Sequence, residues 1–134
     1  MIRASTLALA LLVSACTADE SLTRYGAAGK TWVLTELNGA AFAARATIEF
    51  QAQDVVVGSA PCNRFSSRQT EPYPWFKLGP ILSTKTACPD LDAETAFFSA
   101  LDRMSLSEVG NTALILSNDG GESMIFREAS SAAQ

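Results

Sequence analysis

The sequence predicts an α+β fold that is mostly β, a small barrel-like antiparallel sheet of about eight short strands with one helix packed on it. Three observations carry this expectation. Short alternating or β-branched runs are punctuated by glycine, proline, asparagine and aspartate along residues 30–128. Only residues 92–104 place apolar side chains at convincing helical spacing. The 134 residues, 48% of them hydrophobic, suffice for one core and not for two. Closing such a sheet would remove its exposed edges.

The elements follow in order. Lys30 to Leu37 combines Trp32, Val33, Leu34 and Leu37 with Thr31 and Thr35, and stops at the turn dipeptide Asn38-Gly39. It is the first strand, with Trp32 and Leu34 on one face. Residues 40–45, alanine-rich around Phe42, fit no single period. Ala46 to Phe50 alternates, placing Ile48 and Phe50 inward and Thr47 and Glu49 outward. After a turn at Gln53-Asp54, Val55-Val56-Val57-Gly58 makes another strand, and Gly58 permits a bend or bulge. Phe65 to Thr70 reads as a polar edge strand. Glu71-Pro72-Tyr73-Pro74 forces a turn or extended connection, Trp75 to Leu78 is a short aromatic strand, and Ile81 to Ala87 is another.

The helix over Asp92 to Met104 has Asp90 or Asp92 to cap it, and Asp92 and Glu94 complement its dipole. Phe97, Phe98, Leu101 and Met104 form its core-facing stripe. A meander closes the domain: Leu106 to Val109, Ala113 to Leu116 and Met124 to Phe126, separated by Gly110-Asn111 and Asn118-Asp119-Gly120-Gly121. Residues 129–134 are expected to be a disordered tail.

Composition excludes several functions. A net charge of -4 with only 18% charged residues provides no basic footprint for nucleic acid. The absence of histidine excludes histidine triads and histidine-containing zinc sites. Ser83, Thr84, Lys85 and Thr86 sit together, but a serine and lysine alone lack the lowered pKa, oxyanion hole and pocket of a hydrolase. Lys30-Thr31-Trp32 echoes a Lys-Thr-Gly motif without its glycine. Asn118 to Glu122 offers oxygen ligands without the alternation of a calcium loop. No catalytic residue, metal site or cofactor is expected.

At the N-terminus Arg3 precedes the apolar run Leu7 to Val13, followed by Ser14, Ala15 and Cys16. Residues 1–15 read as a signal peptide, too short to span a bilayer. Val13-Ser14-Ala15-Cys16 resembles a bacterial lipobox, which implies cleavage before Cys16 and acylation there; the alternative is an ordinary signal peptide followed by a chance cysteine. Residues 16–29 are then a flexible lipid-anchored tether. Thr17 stands where an aspartate would favour inner-membrane retention in enteric lipoproteins, which by analogy points to the periplasmic face of the outer membrane.

With Cys16 lipidated, Cys62 and Cys88 remain as an even pair in an oxidising compartment, where a disulfide is the default expectation. Closing a loop of roughly 27 residues would contribute about 3.5 kcal/mol. Two buried free thiols are the alternative. Asn63, Arg64 and Lys85 lie beside this pair and form a candidate polar surface patch for a carboxylate, a phosphate or a partner protein. Alternatively, Asn63 satisfies backbone groups at a turn while both cations are solvated.

Trp32-Val33-Leu34 with Leu37-Asn38-Gly39, then Cys62-Asn63-Arg64-Phe65, then Thr84-Lys85-Thr86-Ala87-Cys88-Pro89, then Glu94 with Phe97, Phe98 and Leu101, together resemble the META domain of HslJ-like bacterial lipoproteins over residues 30–128. Pro61 stands where the family commonly has glycine, and Lys85 where it has arginine, so a bidentate arginine contact would not be reproduced. The resemblance implies a compact β-barrel-like domain, associations with heat shock, envelope stress and antibiotic tolerance, and no established enzymatic activity. The fold is also similar to that of pilot lipoproteins that bind lipid and escort secretins, an analogy of fold alone. The functional expectation is a non-enzymatic, lipid-anchored cell-envelope protein. It is held to the membrane by acyl chains on Cys16, with an envelope protein partner or, alternatively, a small apolar ligand or lipid. An interior ligand would need a cavity lined by residues such as Trp32, Phe50 and Phe98. An enzyme would need Lys85 and a hydroxyl to converge in a cleft.

Overall fold

The computed structural model describes residues 18–130. The signal peptide, Cys16 and the last four residues of the expected tail lie outside that range. Nine strands are described: β1 Trp32–Leu37, β2 Ala40–Ala41, β3 Thr47–Phe50, β4 Val55–Ser59, β5 Arg64–Arg68, β6 Leu82–Ser83, β7 Leu106–Val109, β8 Ala113–Ser117 and β9 Ser123–Glu128. Among the described residues one α-helix, α1, spans Leu91–Arg103 between β6 and β7, and two short helical turns lie at Thr23–Ala27 and Ala52–Asp54. All pairings are antiparallel, in the order β6-β5-β4-β3-β1-β9-β8-β7 with β2 beside β1.

The mostly β, α+β architecture is as expected, but the sheet is not closed, since β6 and β7 end the ladder. Residues 74–79 span the gap by isolated pairings instead, Gln69 with Leu78 and Trp75 with Leu106. Gly79 N–H donates to Arg68 O at 2.8 Å, while Phe76 N–H donates to Ser105 O at 2.9 Å. The strand expected over Trp75 to Leu78 is reduced to these bridges. Pro74 and Pro80 lack donors and fix φ, so a continuous ladder cannot form through them.

Three other expectations change in detail. β5 is not an edge, because β6 and the chain at Leu78 and Gly79 pair along its outer side. Gly58 is not bulged: the β4–β5 register runs unbroken from Val55↔Arg68 to Ser59↔Arg64. The glycine is needed for close approach, since a Cβ there would lie 2.1 Å from Thr47 O and 2.7 Å from the Phe65 ring. Thr47, expected outward, is buried, and its hydroxyl accepts the Ser59 N–H at 3.1 Å.

The core is one cluster. Trp32, Leu34, Ile48, Phe50, Val56 and Phe65 from the first sheet half meet Phe97, Leu101 and Met104 from α1 and its end, and Leu114, Leu116, Met124 and Phe126 from the meander. Alternation explains the strand contributions, and α1 adds its i, i+4, i+7 stripe. Residues 22–29, expected as tether, belong to this domain. Leu22 and Ala27 are buried, and Trp32 Nε1 donates to Ala27 O at 3.1 Å. At the other end, Ala129 N–H donates to Thr31 O at 2.8 Å, so the ordered domain runs past residue 128.

Candidate functional site

The turn between β4 and β5 carries Cys62 and Asn63, and the segment before α1 carries Cys88. Cys62 and Cys88 form a disulfide with their Cα atoms 5.5 Å apart, within the usual range for such bridges. The free-thiol alternative is thereby set aside.

Glu94 completes what the disulfide begins. Neither Asp90 nor Asp92 caps α1: Asp90 occupies the N-cap position but its side chain makes no capping bond. Glu94, in the first turn, lies on the same stripe as Phe97, Phe98 and Leu101, so it points inward and is buried. Its Oε1 accepts the N–H groups of Cys62 at 3.1 Å and Asn63 at 2.8 Å, and its Oε2 accepts Asn63 Nδ2 at 2.7 Å. The carboxylate makes no salt bridge among the described residues. Three N–H donors and the positive end of α1 balance its charge.

Asn63 is saturated in turn. Its second Nδ2 hydrogen goes to Thr86 O at 2.9 Å, and its Oδ1 accepts Thr86 N–H at 2.6 Å and the Thr84 hydroxyl at 2.9 Å. These bonds draw residues 84–86 toward the turn, and regular pairing of β6 therefore stops at Ser83 instead of running through Ala87. Asn63 thus satisfies backbone groups, as the second sequence alternative supposed, and leaves no hydrogen-bonding capacity for a ligand. Phe65 locks the assembly from below, edge-on to Phe97 and Phe98 with ring centroids 5.7 and 5.4 Å apart.

Over this clasp lies an open groove of about 310 Å³, lined among others by Ser83, Lys85, Thr86, Leu91, Thr95 and Phe98. Arg64 and Lys85 are exposed. Lys85 Nζ donates to Ser83 Oγ at 3.2 Å, so lysine and hydroxyl do meet, with the ammonium as donor. The proposed patch therefore divides: Asn63 is interior, while Arg64 and Lys85 face solvent. Trp32 and Phe50 are packed in the core; Phe50 also borders a separate open pocket beside Lys30 and Glu49, and only Phe98 of the three lines the groove over the clasp.

The remaining sequence candidates are engaged elsewhere. Lys30 Nζ bonds Asn111 O at 2.6 Å, lies 3.4 Å from Glu128 and sits over the Trp32 ring. In the Asn118–Glu122 turn, Glu122 takes a bidentate bond from Arg103 and another from Asn118 Nδ2 at 2.8 Å. These bonds, Arg103 first and Asn118 second, hold the Glu122 carboxyl down at about 2.

Comparison with known proteins now defines the family. The family model of the META domain matches residues 22–131. The chain belongs to the META domain family. The match of this META domain starts at Leu22, the first buried side chain among the described residues. No curated protein matches the chain. Among solved structures, an NMR structure of a protein from Burkholderia xenovorans is similar at 20% identity and TM-score 0.63, covering 78% of this chain and 84% of that one. A crystal structure of a DUF4847 family protein from Bacteroides vulgatus is similar at 15% identity and TM-score 0.63, covering 78% and 96%. Both likenesses concern the fold.

Two features of the META domain were missed in the sequence. Glu94 enters the sequence reading as a charge at the helix dipole and as part of the family pattern but with no burial expected, although its i, i+3, i+4 spacing to Phe97 and Phe98 marks a carboxylate on the apolar face. Buried Gln69 was not singled out; it staples the 71–77 connection by donating to Glu71 O and Trp75 O and accepting Lys77 N–H. Nothing local signals that second role.

Proposed function

We propose that this META-domain chain is a non-enzymatic, lipid-anchored protein of the bacterial cell envelope, acylated at Cys16. It would serve a stress-response or antibiotic-tolerance accessory role at the periplasmic face of the outer membrane. The observation that carries the non-enzymatic part is the saturation of the Asn63–Glu94 network. The polar groups nearest the groove floor are consumed in holding the β4–β5 turn to α1, which leaves recognition in the groove to Lys85, Leu91 and Phe98, with Arg64 exposed outside it. The lipobox-like tetrapeptide and the disulfide together support an exported, anchored chain.

Intact-mass measurement on membrane-purified protein, with and without reductant, tests this. Acyl additions on a chain beginning at Cys16, with no alkylatable thiol before reduction, are expected. A mature mass without acyl groups would refute the anchor.

A second reading, binding of a small apolar ligand or lipid, draws on Phe98 and Leu91 in the groove rather than on an interior cavity. Displacement of an environment-sensitive apolar dye by candidate ligands, lost in Phe98→Ala, is its expected signature.

A further inference from the structure

Two of the four large exposed apolar side chains, Tyr25 at 50% and Trp75 at 56%, belong to one corner of the domain. Tyr25 stacks on Tyr73 with ring centroids 4.1 Å apart. Tyr73 N–H donates to Glu20 O at 2.7 Å, and residues 18–21 lie along residues 69–72 in a shared surface groove. The first described residues of the chain are therefore fastened to the corner that displays the aromatic rings.

That attachment fixes a distance. From Cys16 to Glu20 is four residues, which span at most about 14 Å even when fully extended. A bilayer's headgroup layer is itself about 6 Å thick on each side. If Cys16 carries acyl chains, little slack remains between the lipid and this corner. A tether running to residue 29 would have let the domain swing freely; one that ends at Glu20 does not. Tyrosine and tryptophan are the side chains that favour the water–lipid boundary, where an apolar ring and a polar edge are both satisfied.

We propose that the Tyr25–Tyr73–Trp75 corner is a membrane-docking surface, seated in the headgroup layer of the bilayer that holds the lipid on Cys16. This rests on the acylation reading above and adds an orientation to it. The groove beside the corner is lined by Asp19, Glu20, Asp54 and Glu71, all acidic, while Arg24 and Lys77 flank the rings in the chain; four carboxylates against two cations suit zwitterionic headgroups better than anionic ones. The groove lined by Phe98 and Lys85 involves none of these residues and would stay available to a partner.

The chain's two tryptophans make the test direct, because Trp32 is fully buried and Trp75 is exposed. Membrane-purified full-length mature protein is first checked for acylation by intact mass. It is then reconstituted into phosphatidylcholine vesicles with and without brominated acyl chains. Docking predicts loss of most of the Trp75 emission in brominated vesicles, no such loss in Trp75→Phe, and a smaller loss when phosphatidylglycerol replaces phosphatidylcholine at low salt. An acylated protein whose Trp75 emission is indifferent to bromination and stays open to aqueous iodide would overturn the docking alone. An unacylated mature chain would overturn the anchor and the docking with it.

Discussion

The two ends of α1 are both tied down through a glutamate, by opposite means. At the N-terminal end, buried Glu94 accepts two backbone N–H groups and an amide, with no cation involved, beside a disulfide. At the C-terminal end, solvent-facing Glu122 holds Arg103 through bonds of 2.6 and 2.9 Å. The buried clasp is costly to break, because its donors would lose their partner away from water. The exposed pair competes with solvent and salt at all times. One end of the helix is thus built as a fixture and the other as a trim, and the groove lies over the fixture.

This contrast is open to breaking at both ends. The largest effect is expected from the disulfide. Replacing Cys62 and Cys88 by serine should lower stability by about 3.5 kcal/mol, from the entropy of a loop of roughly 27 residues. Urea unfolding of the variant against the oxidised protein measures it.

Glu94→Ala comes next. Three hydrogen bonds to a charged acceptor are lost and their donors stranded, which should cost about 3 kcal/mol. The same unfolding assay reads it, and near-UV circular dichroism should show looser packing of Phe97 and Phe98.

Glu122→Gln should act only through pH. Its folded-state pKa, about 2, lies below its ordinary 4.5, so its stabilisation is present above pH 4.5 and fades as pH falls toward 2. The variant should therefore be less stable than the parent at neutral pH and converge with it near pH 2, as followed by denaturation midpoints across that range.

Smallest of all, Arg64→Ala and Lys85→Ala should each shift stability by less than about 0.5 kcal/mol, since both side chains are exposed. A larger loss would mean that the rim takes part in the clasp.

The sequence made much of the fixture legible and little of what completes it. Alternation located β3, and β-branched or apolar runs bounded by turn residues located β1, β4 and the meander, because both signals are local properties of the chain. Helical spacing located α1 to within a residue at each end. The Cys62–Cys88 pair followed from counting once Cys16 was set aside. The bonds that bring Glu94 to Asn63 and Glu20 to Tyr73 span 31 and 53 residues, and no local pattern encodes such meetings. The same holds for Leu22 and Ala27, small contributors in a polar stretch whose burial depends on Trp32 and the core beyond it. Aromatic content misled in the other direction: it suggested a strand at Trp75 to Leu78, and Pro74 and Pro80 limited it to single bridges.

The clasp is tested most directly by a double-mutant cycle on Asn63→Ala and Glu94→Ala, read by urea unfolding. If the two side chains act as one buried unit, the double variant should be less damaged than the sum of the singles, with a coupling of at least about 1.5 kcal/mol. Additive losses, within about 0.5 kcal/mol, would contradict the clasp and return Asn63 to the list of groups available for binding.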